Sequence, residues 1–270
     1  MTRNDHGFLT ALSLLAAFIW MRDTSWASDA SNVLPSLAAL PLFVWIGWPW
    51  RLQEPHRFLS PKLLVLAASG FVAGVGLNLT ILLAVGWTAL LWSWLSLRLT
   101  KSDRRPAARG LVLVLLAFPW IALDAGFAGW WFRLSGAEVV SKLFLWGGFD
   151  VVKEGTNIRI QGWPISVEAP CSGLNALQSM LIAGTAFASF RLRNHPWYWW
   201  NLPFLVVLAW TGNTMRIALL CASLLTFGPD FTSGPFHEWS GWVILMLMFL
   251  LCWPVFGLQA NRRPNRTSCP

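Results

Sequence analysis

Residues 63–97 read LLVLAASGFVAGVGLNLTILLAVGWTALLWSWLSL, thirty-five positions without one Asp, Glu, Lys or Arg. As one helix this run would be about 50 Å long, whereas the hydrocarbon core of a bilayer is about 30 Å thick. It therefore reads as two antiparallel membrane helices, with the turn near Gly74, Gly76 and Asn78. The glycines at 70, 74 and 76 fit close helix packing, because no phosphate loop can be built inside an apolar span.

The rest of the chain has the same character. Over 270 residues it is 56% hydrophobic and 12% charged, with 20 Trp, too little polar surface for a water-soluble protein. Further apolar runs cover 7–21, 33–50, 110–132, 171–190, 197–227 and 238–257, each near the length that crosses a bilayer. The first could be taken for the core of a cleaved signal peptide, but with so many spans behind it 7–21 reads as an anchor. The fold class expected is an all-α polytopic membrane protein of about eight transmembrane helices, built as one integral membrane domain over 1–270. Within it, 1–132 holds five spans, 133–170 a polar extracytoplasmic segment, 171–257 three spans, and 258–270 a basic tail.

Charge sets the orientation. The net charge of +8 would suggest nucleic acid in a soluble protein, but here it is the excess expected in short cytoplasmic loops. With both termini in the cytoplasm, the inner segments hold 14 of the 20 Lys and Arg residues, most densely at Arg98, Lys101, Arg104, Arg105 and Arg109. Nucleic acid is not an expected partner. Trp48, Trp50, Trp197, Trp199 and Trp200 sit near span boundaries, as an interfacial belt in contact with membrane lipids would.

In the polar segment, 137–146 has helical spacing and would lie along the interface. Asn157-Ile-Arg-Ile-Gln161 and Pro164-Ile-Ser-Val-Glu168 alternate like short strands, with turn signals at Glu154-Gly155 and at 162–164. A small β-hairpin-like element thus precedes the sixth span and leads into Glu168-Ala-Pro-Cys-Ser-Gly-Leu-Asn175. Cys171, following Pro170, is expected in the first helical turn, where unpaired N–H groups and the helix dipole favour a thiolate. The other cysteines are Cys221 and Cys252, inside apolar runs, and Cys269 in the tail. None forms a CxxC pair, which argues against a redox relay or a zinc knuckle.

Two more residues point to chemistry. Arg216, in Thr211-Gly-Asn-Thr-Met-Arg-Ile-Ala-Leu219, is a cation inside a span. Insertion of Arg at the helix centre costs about 2.5–3.5 kcal/mol, so it should face a partner or a watery cavity. A structural pair with Asp124 or Glu168 is the plainer reading. His237 opens the eighth span after Gly234-Pro235-Phe236; alone it reads as an interfacial side chain, but beside a thiol it is a general base. The expected topology puts a nucleophile and a base at the outer starts of two spans and a permanent cation on a third, a set suited to thiolate attack on an amide. Depth is the obstacle, because Arg216 precedes Gly228-Pro229 by 12 residues, about 18 Å of helix. The seventh helix must end early or tilt, Arg216 must reach outward, or Cys171 must be recessed.

Pro170-Cys-Ser-Gly-Leu174, Asn213-Thr-Met-Arg216 and His237, on three successive late spans, resemble the exosortase/archaeosortase family of membrane cysteine transpeptidases. The resemblance covers roughly the C-terminal half and implies an inner-membrane enzyme with its active site on the extracytoplasmic face. Its expected partners are exported proteins ending in a short motif such as Pro-Glu-Pro, a transmembrane helix and a basic cluster. It implies Cys171 as nucleophile, His237 as base and acid, and Arg216 as oxyanion or substrate cation, with an unknown surface acceptor releasing the product. Asn213 would hold a substrate carbonyl or the guanidinium. Ser172 would do likewise or cap the helix. Gln178, two turns along from Cys171, would line the site or bond between helices. No metal and no cofactor are expected. The competing class is a transporter or channel component using Arg216 and Asp124 as polar ligands, yet no inverted repeat or pair of broken helices is visible. A thiol-disulfide enzyme would need a second outer-face cysteine.

Overall fold

The computed structural model describes residues 3–28, 30–55, 57–166, 173–192, 195–233 and 235–261. Glu168, Cys171, Ser172 and the tail from 262 lie outside the described residues. Among the described residues eleven α-helices and one three-stranded sheet are formed, in two compact units, Met1–Gly126 and Phe127–Pro270.

The first unit holds α1 (Arg3–Met21), α2 (Ala30–Gly47), α3 (Pro61–Gly76), α4 (Thr80–Leu95), α5 (Lys101–Leu116) and α6 (Trp120–Asp124). The opening apolar run divides as its length requires, with α3 and α4 joined through Asn78 at φ 57°. Glycine is what lets these helices close up. A Cβ on Gly70 would lie 3.0 Å from the Gly86 Cα, and one on Gly74 would lie 2.7 Å from the Leu83 side chain.

Polar pairs gather at the two ends of this unit. At one end Asp5 of α1 meets Arg98, just past α4, at 2.7 Å. The same guanidinium donates to the carbonyls of Trp94 and Phe58, and both rings lie beneath it. At the other end Arg22 donates to Asn78, and Trp20 Nε1 donates to the Ala117 carbonyl. There too the Asp124 carboxylate accepts the Ile81 N–H at 2.6 Å, satisfying an orphan donor in the first turn of α4. Midway, Trp87 Nε1 donates to the Leu12 carbonyl. The helices therefore alternate direction between two polar ends.

One expected span differs. Residues 110–132 are not a single helix: α5 starts nine residues earlier at Lys101, ends at Leu116, and is followed by α6 and then a third helix. Pro119 lacks an N–H and disfavours helical backbone before it, and Asp124 is turned to the start of α4. The basic stretch after α4 is largely helical rather than a loop: Lys101, Arg104 and Arg105 are exposed, while Arg98 and Arg109 are each only 4% exposed.

The second unit holds α7 (Gly126–Trp146), β1 (Val151–Glu154), β2 (Asn157–Ile160), β3 (Trp163–Ser166), α8 (Leu174–Arg191), α9 (Asn201–Phe227), α10 (Pro229–Ser233) and α11 (Pro235–Asn261). The strands form an antiparallel meander, Val152 opposite Arg159 and Arg159 opposite Pro164. Its turns fall at the expected glycines, with Gly155 at φ 62° and Gly162 at φ 83°. The sequence pattern marks β2 and β3, while the four-residue β1 is an addition. The helix expected over 137–146 is the second half of α7.

Two helical stretches, Tyr198–Phe227 and Trp239–Asn261, are long and apolar enough to cross a membrane. Asn32–Gly47, Pro61–Gly76 and Thr80–Leu95 are shorter apolar helices. The second unit is organised on α9. Leu205 fills the space over Gly184 of α8, and Met248 and Ile244 of α11 fill that over Gly212. Trp210 Nε1 donates to Ser135 Oγ of α7.

Candidate active site

Arg216 lies midway along α9, and two features hold its guanidinium. Nη2 donates to the His237 carbonyl in the first turn of α11 at 3.0 Å, and the group lies against Gly241, where a Cβ would come within 3.2 Å of Cζ. His237 and Gly241 are one helical turn apart on one face, so α11 offers a carbonyl and a gap on the side that receives the arginine. Nε is buried without a hydrogen-bond partner among the described residues. Asp124 is engaged at the start of α4, and no carboxylate whose side chain is described pairs with Arg216.

The second approach joins α8 to α9. The N-cap of α8 is Gly173, at φ 78° and ψ 2°, and the helix proper starts at Leu174. The expected places of Cys171 in the first turn and of Ser172 as a cap lie outside the described residues, which resume at Gly173. A Cβ on Gly173 would lie 2.7 Å from the Asn213 Cγ. The left-handed backbone and this contact both demand glycine. Asn213 stands one turn before Arg216, so the start of α8 and the start of α11 arrive within one turn of each other on α9.

The rest of α9 beyond Arg216 is covered by neighbouring elements. From Arg216, α9 continues for eleven residues to Phe227, about 16 Å, but not bare. Ile217 and Cys221 form a buried cluster with Ala137 and Val140 of α7 and Ile158 and Ile160 of β2. The chain after α9 folds back through α10, where Ser223 and Thr232 hydroxyls bond at 3.3 Å, so that α11 starts level with Arg216. The sheet is pinned there by Lys153, which meets Glu138 of α7 at 3.0 Å. Glu138 also pairs with Lys142, and these two lysines hold its carboxyl below the usual carboxylate range.

The remaining candidates separate. Asn213 is 4% exposed and Gln178 is 0% exposed; Asn213 lies against Gly173 at the start of α8, and Gln178 is buried within α8. Cys221 and Cys252 are buried and free. Gly173 and Gly241 are the positions that reading by chemistry alone passes over. Their signals are a glycine directly before an apolar run and one four residues after the histidine.

The chain was then compared with known proteins. No curated protein and no solved structure matches it. The family described as transmembrane exosortase (Exosortase_EpsH) matches residues 2–254, nearly the whole chain and well beyond the C-terminal motifs. By that match the chain belongs to the transmembrane exosortase family.

Proposed function

We propose that the protein is a membrane cysteine transpeptidase or protease, one integral membrane domain that removes the C-terminal sorting signal of exported proteins. The signal is a short polar motif such as Pro-Glu-Pro, a transmembrane helix and a basic cluster. Both termini are cytoplasmic and the site faces outward. Eight crossings are kept if α5 and α6 together make the fifth, which the position of Asp124 beside the start of α4 favours.

The observation that carries this reading is the meeting of two helix starts on one turn of α9: Gly173 against Asn213 and the His237 carbonyl on Arg216. In the proposed cycle the His237 imidazole takes the Cys171 proton, and the thiolate attacks the carbonyl carbon of the scissile peptide bond. The Arg216 edge left over from His237 stabilises the tetrahedral oxyanion. The C–N bond breaks, the imidazolium protonates the leaving amine, and a thioester remains on Cys171. An acceptor amine, or water, then attacks the thioester, gives its proton to the imidazole and expels the thiolate.

The test is Cys171→Ala in the native membrane, scored by the size of exported proteins with hydrophobic, basic-ended tails. Unprocessed precursor should accumulate. Normal processing in that variant would end the cysteine-enzyme reading.

A further inference from the structure

The three-stranded sheet has two unlike faces. One, with Val151, Ile158, Ile160 and Ile165, is buried against α7 and α9. The other carries Val152, Glu154, Asn157, Arg159 and Pro164, all exposed, and borders a shallow cleft of about 270 Å³ to which Ile158 and Ile165 also contribute. Arg159 stands at its middle, in a cross-strand row between Val152 and Pro164. Its guanidinium has no carboxylate partner among the described residues. Val152 is 45% exposed, so the row is an apolar, cationic, apolar sequence open to solvent. The chain leaves this sheet at Ser166 and reaches Gly173, against Asn213, seven residues later. The sheet is also fixed to α9 just beyond Arg216 through Ile217 and Cys221.

From this placement we infer that the outward face of the sheet is the subsite for the extended polar segment of the substrate tail, with Arg159 taking an acidic side chain flanked by apolar residues. The inference rests on the transpeptidase reading above and adds which part of the enzyme selects the tail. The occupant follows from the charge at the centre of the row, its apolar flanks, and a short continuous connection to the candidate nucleophile.

The experiment uses the full-length enzyme in membranes and a secreted reporter ending in a single Glu between apolar residues, a twenty-residue Leu/Ala helix and an Arg cluster. A second reporter carries Lys in place of that Glu. Arg159→Gln should slow processing of the Glu reporter about tenfold or more, and Arg159→Glu should reverse the preference toward the Lys reporter. That gain cannot come from misfolding. Equal processing of both reporters by the unaltered enzyme and by Arg159→Glu overturns the subsite. In a Cys171→Ala background, a photo-crosslinking residue at Val152 should trap the reporter tail, whatever the fate of the chemistry. Crosslinking to a second enzyme copy, or to nothing, also overturns it. Loss of the crosslink with processing still dependent on Cys171 removes the subsite alone; processing that survives Cys171→Ala removes the enzyme reading instead.

Discussion

Gly173 and Arg216 carry geometric demands that other residues cannot meet. Alanine at 173 would have to adopt φ 78° and bring its Cβ to 2.7 Å from Asn213. The left-handed conformation alone costs about 1–2 kcal/mol, and relief of the contact would shift the start of α8 and the cysteine before it. Gly173→Ala is expected to lower processing tenfold or more while the protein still accumulates in membranes; wild-type turnover would show that this contact does not govern the site. Arg216→Lys keeps the charge but not the planar fork. One ammonium cannot both donate to the His237 carbonyl at 3.0 Å and offer a second fixed edge to an oxyanion. A drop in kcat with little change in KM is expected, and the reverse pattern would reassign Arg216 to substrate binding. The chemical residue types at 171, 216 and 237 were readable in the chain, because thiol, guanidinium and imidazole are conspicuous in apolar surroundings. The two glycines that lie against Asn213 and Arg216 were not, since nothing in one sequence says what will lie against a missing Cβ.

At the level of elements, the small sheet acts as a buttress for α9. Its attachment has an apolar part, Ile158 and Ile160 on Ile217 and Cys221, and an ionic part, Glu138 to Lys153 and Lys142. Because the folded carboxyl of Glu138 titrates below its ordinary value of 4.5, the ionic part is complete above that value and is lost as pH falls through the lowered one. Hydrogen exchange in β1 and β2, normalised to the intrinsic rate at each pH, should rise in the wild type as pH falls well below 4.5. In Glu138→Gln it should already be raised at pH 7 and rise less on acidification. A variant whose exchange matches wild type at neutral and at acid pH would leave the ion pairs without a role. The hairpin itself was legible from Glu154-Gly155 and Gly162, whose backbones turn left-handed as glycine allows. Strand β1 was not, because Val-Val-Lys-Glu does not alternate apolar and polar residues. The break in 110–132 went unread for a different reason. Pro119 is tolerated in many membrane helices, and only the demand of the Ile81 N–H for Asp124 decides the matter.

For the molecule as a whole, two kinds of charge must be told apart. Arg98 counts toward an inner loop in the sequence, yet it is buried with Asp5 at 2.7 Å, their side chains 5% and 8% exposed. Removing one partner strands the other, typically at a cost of about 3–5 kcal/mol. Asp5→Asn should therefore lower the melting temperature of the detergent-solubilised protein, and an unchanged melt would mean the pair is incidental. Even without Arg98 the segments proposed to face the cytoplasm keep most of the positive charge, and the first unit has polar pairs at two ends. Orientation then yields a definite expectation about two exposed places. Glu54 is in the basic loop next to the Arg98 end of the first unit, whereas Gly155 is at a tip of the sheet. In a background with Cys171 and Cys269 changed to Ala, Gly155→Cys should react with a membrane-impermeant maleimide in intact cells. Glu54→Cys should react only after the membrane is opened; Cys221 and Cys252 are buried and should stay silent. Labelling of Glu54→Cys in intact cells would invert the orientation and carry the proposed site to the cytoplasmic side, where an exported tail could not reach it.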